Sequence, residues 1–214
     1  MDHERGIHAG HKTSIYKLEN TIGKQSITVN IIVSDFTGDN FHFRTDNTLT
    51  RDCFNDYYLP DFLDGTVVSA GIAFRLDKPA KRVQQEFAHR YITSFTPGLI
   101  LYGIPAKGIV GESAQTIRIS LDQSTIIPLG LQQTDSVQNS VLTIQTGTAN
   151  HKYNLSSKLI TETSKLLLEK LSGFFTFKTG DIIFAEFERL PLNKPNDTIS
   201  LESNQSVLVD LRIR

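Results

Sequence analysis

Leu155, Leu159, Ile160, Thr163, Leu166, Leu167 and Leu171 recur at steps of three and four residues, and Lys158, Glu162, Lys165, Glu169 and Lys170 fall between them. The spacing predicts an amphipathic helix over about 156–172. Ser156 or Ser157 can accept from the orphan amides at its start, and Gly173 is placed to give a left-handed stop. Phe174-Phe175-Thr176-Phe177 then reads as a strand, Lys178-Thr179-Gly180-Asp181 as a turn, and Ile182-Ile183-Phe184-Ala185 as a second strand.

Elsewhere the dominant signal is β. Ile15 to Leu18, Ser26 to Val33 and Phe41 to Arg44 are β-branched or alternating, and Thr66 to Leu76 is apolar enough to be buried on both faces. Leu99 to Tyr102, Thr116 to Leu121, Val141 to Thr146, Thr198 to Leu201 and Val207 to Ile213 complete the predicted strands, with 103–115 as a connection. Asp77-Lys78-Pro79 ends the strong strand, and Ala80 to His89 is predicted as a short helix with Asp77 as its N-cap. Thr45 to Asp64 has no sustained period, and Phe54, Tyr57, Tyr58 and Phe62 mark it as a packed surface lid. Many strands with one principal helix predict an α+β fold, a β-rich and mostly antiparallel roll. One domain is expected over residues 13–214. Residues 1–12 read as a poorly ordered tail, in which His8-x-x-His11 is a weak metal signal.

Composition narrows the function classes. With 22 basic and 23 acidic residues spread along the chain, the net charge of −1 leaves no electrostatic footprint for nucleic acid or an anionic membrane. No run approaches the ~18 apolar residues of a membrane span, and the N-terminus lacks the apolar stretch of a secretory signal. A soluble cytoplasmic protein is the default expectation. Cys53 is the only cysteine, which excludes an internal disulfide; without a positioned histidine it reads as a small buried residue.

Two stretches together resemble the fumarylacetoacetate hydrolase superfamily. The first is Ala70-Gly71-Ile72-Ala73-Phe74-Arg75-Leu76-Asp77-Lys78-Pro79-Ala80-Lys81-Arg82-Val83-Gln84 with Ser94-Phe95-Thr96-Pro97-Gly98; it is similar to the family's strand, metal-binding Asp, short helix and Phe-x-Pro turn. The second is the helix with Phe177-Lys178-Thr179-Gly180-Asp181-Ile182-Ile183 and the later Lys194-Pro195-Asn196-Asp197 turn. The resemblance implies a β-rich roll, a homodimer, and a hydrolase, hydratase or decarboxylase acting on a small 2-oxo or diketo acid with Mg or Mn. Asp77 falls on the metal position, Gln84 and Arg90 on substrate-binding positions, and His89 on a position for handling a proton.

The sequence departs from the family at several of these places. No Glu-x-Glu precedes Asp77, although a hard divalent cation needs several oxygen ligands. Arg90 stands where the family has Lys, and Ala185-Glu186-Phe187-Glu188 stands for Thr-Gly-Thr-Pro. An alternative therefore stands beside the enzyme: a degenerate member serving as a small-anion binder or assembly subunit. Residue by residue the same positions have plainer readings, with Asp77 as a cap, Gln84 as one of several polar helix residues, and His89 and Arg90 as a solvated helix end. Glu186 and Glu188, two apart on a strand, are expected on one face, either as a carboxylate pair or beside Arg189. Asp46, Asp52, Asp56, Asp61 and Asp64 in the lid are reserve ligands.

Overall fold

A computed structural model describes residues 28–134, 139–192 and 197–214. The histidine-bearing tail, the expected strand at Ile15 to Leu18, the start of the next strand and the Lys194-Pro195 turn lie outside the described residues.

In chain order the strands are β1 (Ile31–Ser34), β2 (Phe41–Arg44), β3 (Leu49–Thr50), β4 (Leu63–Arg75), β5 (Ser94–Pro105), β6 (Thr125–Ile126), β7 (Gln132–Gln133), β8 (Ser140–Thr146), β9 (Ala149–Leu155), β10 (Ile182–Pro191), β11 (Thr198–Ser203) and β12 (Ser206–Arg212). Two α-helices, α1 (Gly111–Ile119) and α2 (Ser157–Phe174), join them, with short 3-10 turns at Asp46–Thr48 and Gln85–Arg90. An eight-stranded sheet runs in the order β2-β1-β10-β4-β5-β6-β3, with β7 also on β5. A four-stranded sheet runs β12-β11-β8-β9. Pairing is antiparallel except for β1 with β10 and β3 with β6. The β-rich α+β class read from the sequence is the observed one.

The large sheet buries both faces. Val68, Ala70, Ile72 and Phe74 of β4, with Leu99 and Leu101 of β5, join one core with α2 and with Leu142, Ile144, Ile199 and Leu201 of the second sheet. Ala73, Ile100, Tyr102, Ile182 and Phe184 form the opposite face with Ile31 and Val33. This is why 66–76 carries no polar alternation.

Helix α2 follows its periodicity, turned slightly so that Leu168 rather than Leu166 is buried with Ile160, Thr163, Leu167 and Leu171. Ser156 is the cap, its Oγ accepting from the Leu159 amide at 3.1 Å. Ser156→Ala is expected to cost about 1 kcal/mol, read as a lower denaturation midpoint at unchanged slope. Gly173 does not stop the helix. It lies within it, and the chain leaves through Phe175 in extended conformation. Phe177 is core, paired with Ala80, whereas Phe174 is largely exposed.

Two segments differ from the sequence reading. Ala80 to His89 is not a helix: Ala80 and Phe177 exchange backbone hydrogen bonds, Arg82 takes a left-handed φ of 50°, and only Gln85–Arg90 winds into a 3-10 turn. Tertiary pairing has claimed the amides a helix would need. Residues 116–121 are not a strand but mostly α1, none of whose residues is buried. Ile117, Ile119 and Leu121 alternate by chance rather than through burial on one sheet face. The segment 45–64 is not the packed lid its aromatics suggested: Phe54, Tyr58 and Phe62 are exposed, and of the four only Tyr57 packs on the core, where it and Leu59 hydrogen-bond along the C-terminal residues Arg212 to Arg214.

Candidate functional site

Strand β2 is polar on the side that meets the Ile31–Val33 face. Its register sets His42 beside Val33 and Arg44 beside Ile31, so the period-two alternation sends both side chains to that face. On β5, Tyr102 follows two residues after Ile100 on the same side. On β10, Glu186 follows two residues after Phe184, and the register slips between Glu186 and Arg189, opposite Gly71 and Ser69. The extra residue of that bulge returns Arg189 to the side of Glu186.

These side chains form one cluster. The Tyr102 hydroxyl donates to Glu186 Oε2 at 2.6 Å. Arg189 donates to both oxygens of Glu186, through Nη2 to Oε1 at 2.6 Å and through Nε to Oε2 at 3.3 Å. The Arg189 guanidinium lies 4.1 Å from the Tyr102 ring centre, and Arg44 lies 5.3 Å from it. The His42 ring lies 5.8 Å from that same ring. Burial lowers the proton affinity of His42 to a pKa of about 4, helped by the charges of Arg189 and Arg44. Burial also pulls the Arg44 guanidinium down to about 10. Burial, then the neighbouring Glu186 charge, pushes the Tyr102 phenol up. For Arg189, burial works against the charge but is outweighed by the Glu186 hydrogen bonds, which hold it on.

The cluster carries an imbalance. Arg44 donates through Nη2 to the Leu101 carbonyl at 3.3 Å and to Ser124 Oγ, but its Nε and Nη1 are buried without a partner, as is His42 Nε2. Arg189 is neutralised by Glu186; Arg44 has no counter-ion among the ion pairs of the described residues. A buried guanidinium with unmade hydrogen bonds is costly. The half-buried His42 and Arg189, whose side chain is 41% exposed, form the accessible side.

Asp77, Gln84, His89 and Arg90 lie on the surface at the connection from β4 to β5, and none hydrogen-bonds another of the four. Asp77 caps no helix; Gln84 occupies the N-cap of the 3-10 turn, without a side-chain cap bond. The Asp77 carboxylate instead accepts from Thr93 N at 3.1 Å and Thr93 Oγ1 at 2.7 Å. Arg90 stacks on Phe87, 4.8 Å from its ring.

Among the described residues no three of His, Cys, Asp and Glu converge on a point. A lone carboxylate tied to Thr93, or a Glu186 already held by a guanidinium, does not fit Mg²⁺ or Mn²⁺, which need several oxygen ligands. The bulge also separates the two glutamates expected on one face. Glu186 is inside the cluster; Glu188 points to the second sheet, accepting from Tyr153 at 3.1 Å with His151 at 3.4 Å. Sequence reasoning passed over His42, Arg44 and Tyr102. Their signal was present, since a basic residue at every second position of a short strand is unusual for a sheet face that is buried.

A separate cleft of about 430 Å³ opens between the 45–64 segment and α1, lined by Tyr57, Tyr58, Phe62, Ile117, Asp122 and Gln123. Its acids are engaged, Asp56 by Arg214 at 2.7 Å and Asp122 by the Asn47 amide.

No family model and no curated protein matches the sequence. Solved structures do match the fold. A fumarylpyruvate hydrolase from Pseudomonas aeruginosa, solved with Mn²⁺ and pyruvate, superposes with a TM-score of 0.68 at 11% identity over 87% of this chain and 88% of that one. A protein from Yersinia pestis CO92 assigned to the fumarylacetoacetate hydrolase family gives 0.65 at 16% identity, over 87% and 92%. The chain has the fumarylacetoacetate hydrolase fold. A 5-carboxymethyl-2-hydroxymuconate delta-isomerase from Mycobacterium smegmatis shares it, with a TM-score of 0.68 at 14% identity over 87% and 78%. This fold therefore accommodates proteins named as hydrolases and as isomerases. No helix among the described residues is long and apolar enough to cross a membrane.

Proposed function

We propose that this chain is a divergent relative of the fumarylacetoacetate hydrolases that binds a small carboxylate directly on Arg44, beside His42, Tyr102 and Arg189. The observation that carries this reading is the pair of unpartnered, buried donors on Arg44. Hydrogen bonds from a guanidinium to a carboxylate are charge-assisted, and such bonds are the strong ones. A bound anion would neutralise the Arg44 charge and give one of these donors its partner; Nε and Nη1 lie on different edges of the guanidinium, so a single carboxylate does not span both. The metal-dependent alternative, acting on a 2-oxo or diketo acid through Asp77, Gln84, His89 and Arg90, requires oxygen ligands that the described residues do not bring together.

A thermal-shift titration with sodium pyruvate, matched in ionic strength with sodium chloride, tests the reading. The wild type is expected to gain about 2.7 kcal/mol at a hundredfold excess over its dissociation constant. Arg44→Met should lose that gain while melting at or above the ligand-free wild type, because an uncompensated buried charge has gone. Mn²⁺ should add nothing, and Asp77→Ala should respond as wild type does. A pyruvate response that needs Mn²⁺ and vanishes in Asp77→Ala would overturn the proposal in favour of the metal enzyme.

A further inference from the structure

The charges of the cluster can be counted. Arg189 is paired with Glu186 through two hydrogen bonds, so the two cancel, and Tyr102 is tied to the same carboxylate as a neutral donor. Arg44 is left with one uncompensated positive charge. His42 faces this set from the edge strand: Arg44 lies on its own strand, Val33 beside it on β1, Tyr102 on β5, and Glu186 and Arg189 on β10. Burial first, and then the two guanidiniums, keep the imidazole with its unpartnered Nε2 neutral.

A ligand with one negative charge balances Arg44 and leaves His42 as it is. A second negative charge finds no further free cation among the described residues of the cluster, because Arg189 is already engaged. Among the described residues His42 is placed to answer it by taking a proton, since an anion among the guanidiniums offsets the two charges that, after burial, disfavour the imidazolium. We infer that the site selects monocarboxylates, and that it admits a dianion only together with a proton taken up on His42. This inference rests on the carboxylate-site reading above and adds the charge class of the ligand and the residue that sets it.

Isothermal titration calorimetry with pyruvate and with oxalate, in two cationic amine buffers of different ionisation enthalpy, separates the possibilities. Pyruvate at pH 7.5 should bind with the same heat in both buffers. Oxalate should take up about one proton, and its affinity should fall about tenfold for each unit of rising pH, as one-proton linkage requires. In His42→Gln the oxalate proton uptake and its pH dependence should both disappear. Oxalate binding as tightly as pyruvate with no proton exchange, or proton uptake unchanged in His42→Gln, would overturn the selectivity while leaving the anion site standing. Failure of both ligands to bind wild-type protein that melts cooperatively would overturn the anion site, and this inference with it.

Discussion

Asp181→Ala is expected to cost about 3 kcal/mol of stability, the scale for emptying a buried charged hydrogen-bond hub. Asp181 is 1% exposed. Its carboxylate accepts from the Asn30 amide at 2.9 Å, from the Asn30 side chain at 3.3 Å and from the Lys178 amide at 2.7 Å. The backbone follows the same path, with Ile182 N donating to the Asn30 carbonyl at 2.9 Å and Leu76 N to the Asp181 carbonyl. Asp181 therefore ties the start of β1 to the turn before β10, two segments brought side by side in parallel from opposite ends of the chain. Alanine would leave two part-buried amides without their acceptor. Asn, which keeps one acceptor but not the charge, should lose roughly half as much. Urea denaturation of the two variants at unchanged slope would check both values, and a loss below about 1 kcal/mol for Ala would show that water replaces the carboxylate. The effect reaches the site as well. Strand β2, which carries His42 and Arg44, is attached to the sheet through β1, and β1 through β10. Pyruvate affinity should fall with stability in Asp181→Ala.

The sequence made some of this plain and concealed the rest, for identifiable reasons. Helix α2 and strand β4 were legible because each buries what its period predicts, a stripe in one case and both faces in the other. The Gly180 turn was legible because its φ of 93° suits glycine and the next residue is the hub. Ala80 to His89 was misread because the backbone of Ala80 pairs with Phe177, a contact between residues distant in the chain. Helix α1 was misread because an exposed helix has no apolar stripe to display. At the site, resemblance led to Asp77, whose carboxylate has a local task in holding Thr93. Glu186 and Arg189 were noticed as neighbours, but the bulge that turns them toward Tyr102 and sends Glu188 away cannot be read from alternation, which it interrupts. The unpartnered donors of Arg44 are a property of what surrounds it in three dimensions. A strand pattern records only that position 44 shares a face with position 42.

Gly71→Ala is expected to be the most damaging single-methyl change in the sheet, at least about 3 kcal/mol and enough to reduce soluble yield. Gly71 sits at the middle of β4, opposite Gly98 of β5 and Glu186 of β10. The Phe184 ring reaches both glycines, and a Cβ on Gly71 would overlap its Cε1, sit 2.7 Å from its Cζ, and overlap the Ala185 carbonyl oxygen. The ring could be pushed aside at the expense of the Ile100 and Tyr102 face; the carbonyl could not, because it belongs to the β10 backbone against which β4 is paired. A companion Phe184→Leu change should therefore recover only part of the loss, which distinguishes a backbone collision from simple overpacking. Gly173→Ala supplies the opposite sign. That glycine is inside α2, and a Cβ there meets nothing within 4 Å. Alanine should stabilise it by about 0.5 kcal/mol by lowering the entropy of the unfolded chain. If Gly71→Ala instead folds with near-normal stability, β10 must be able to shift away from β4. Glu186 and Arg189 would move with it, and pyruvate binding should be lost even though the fold survives.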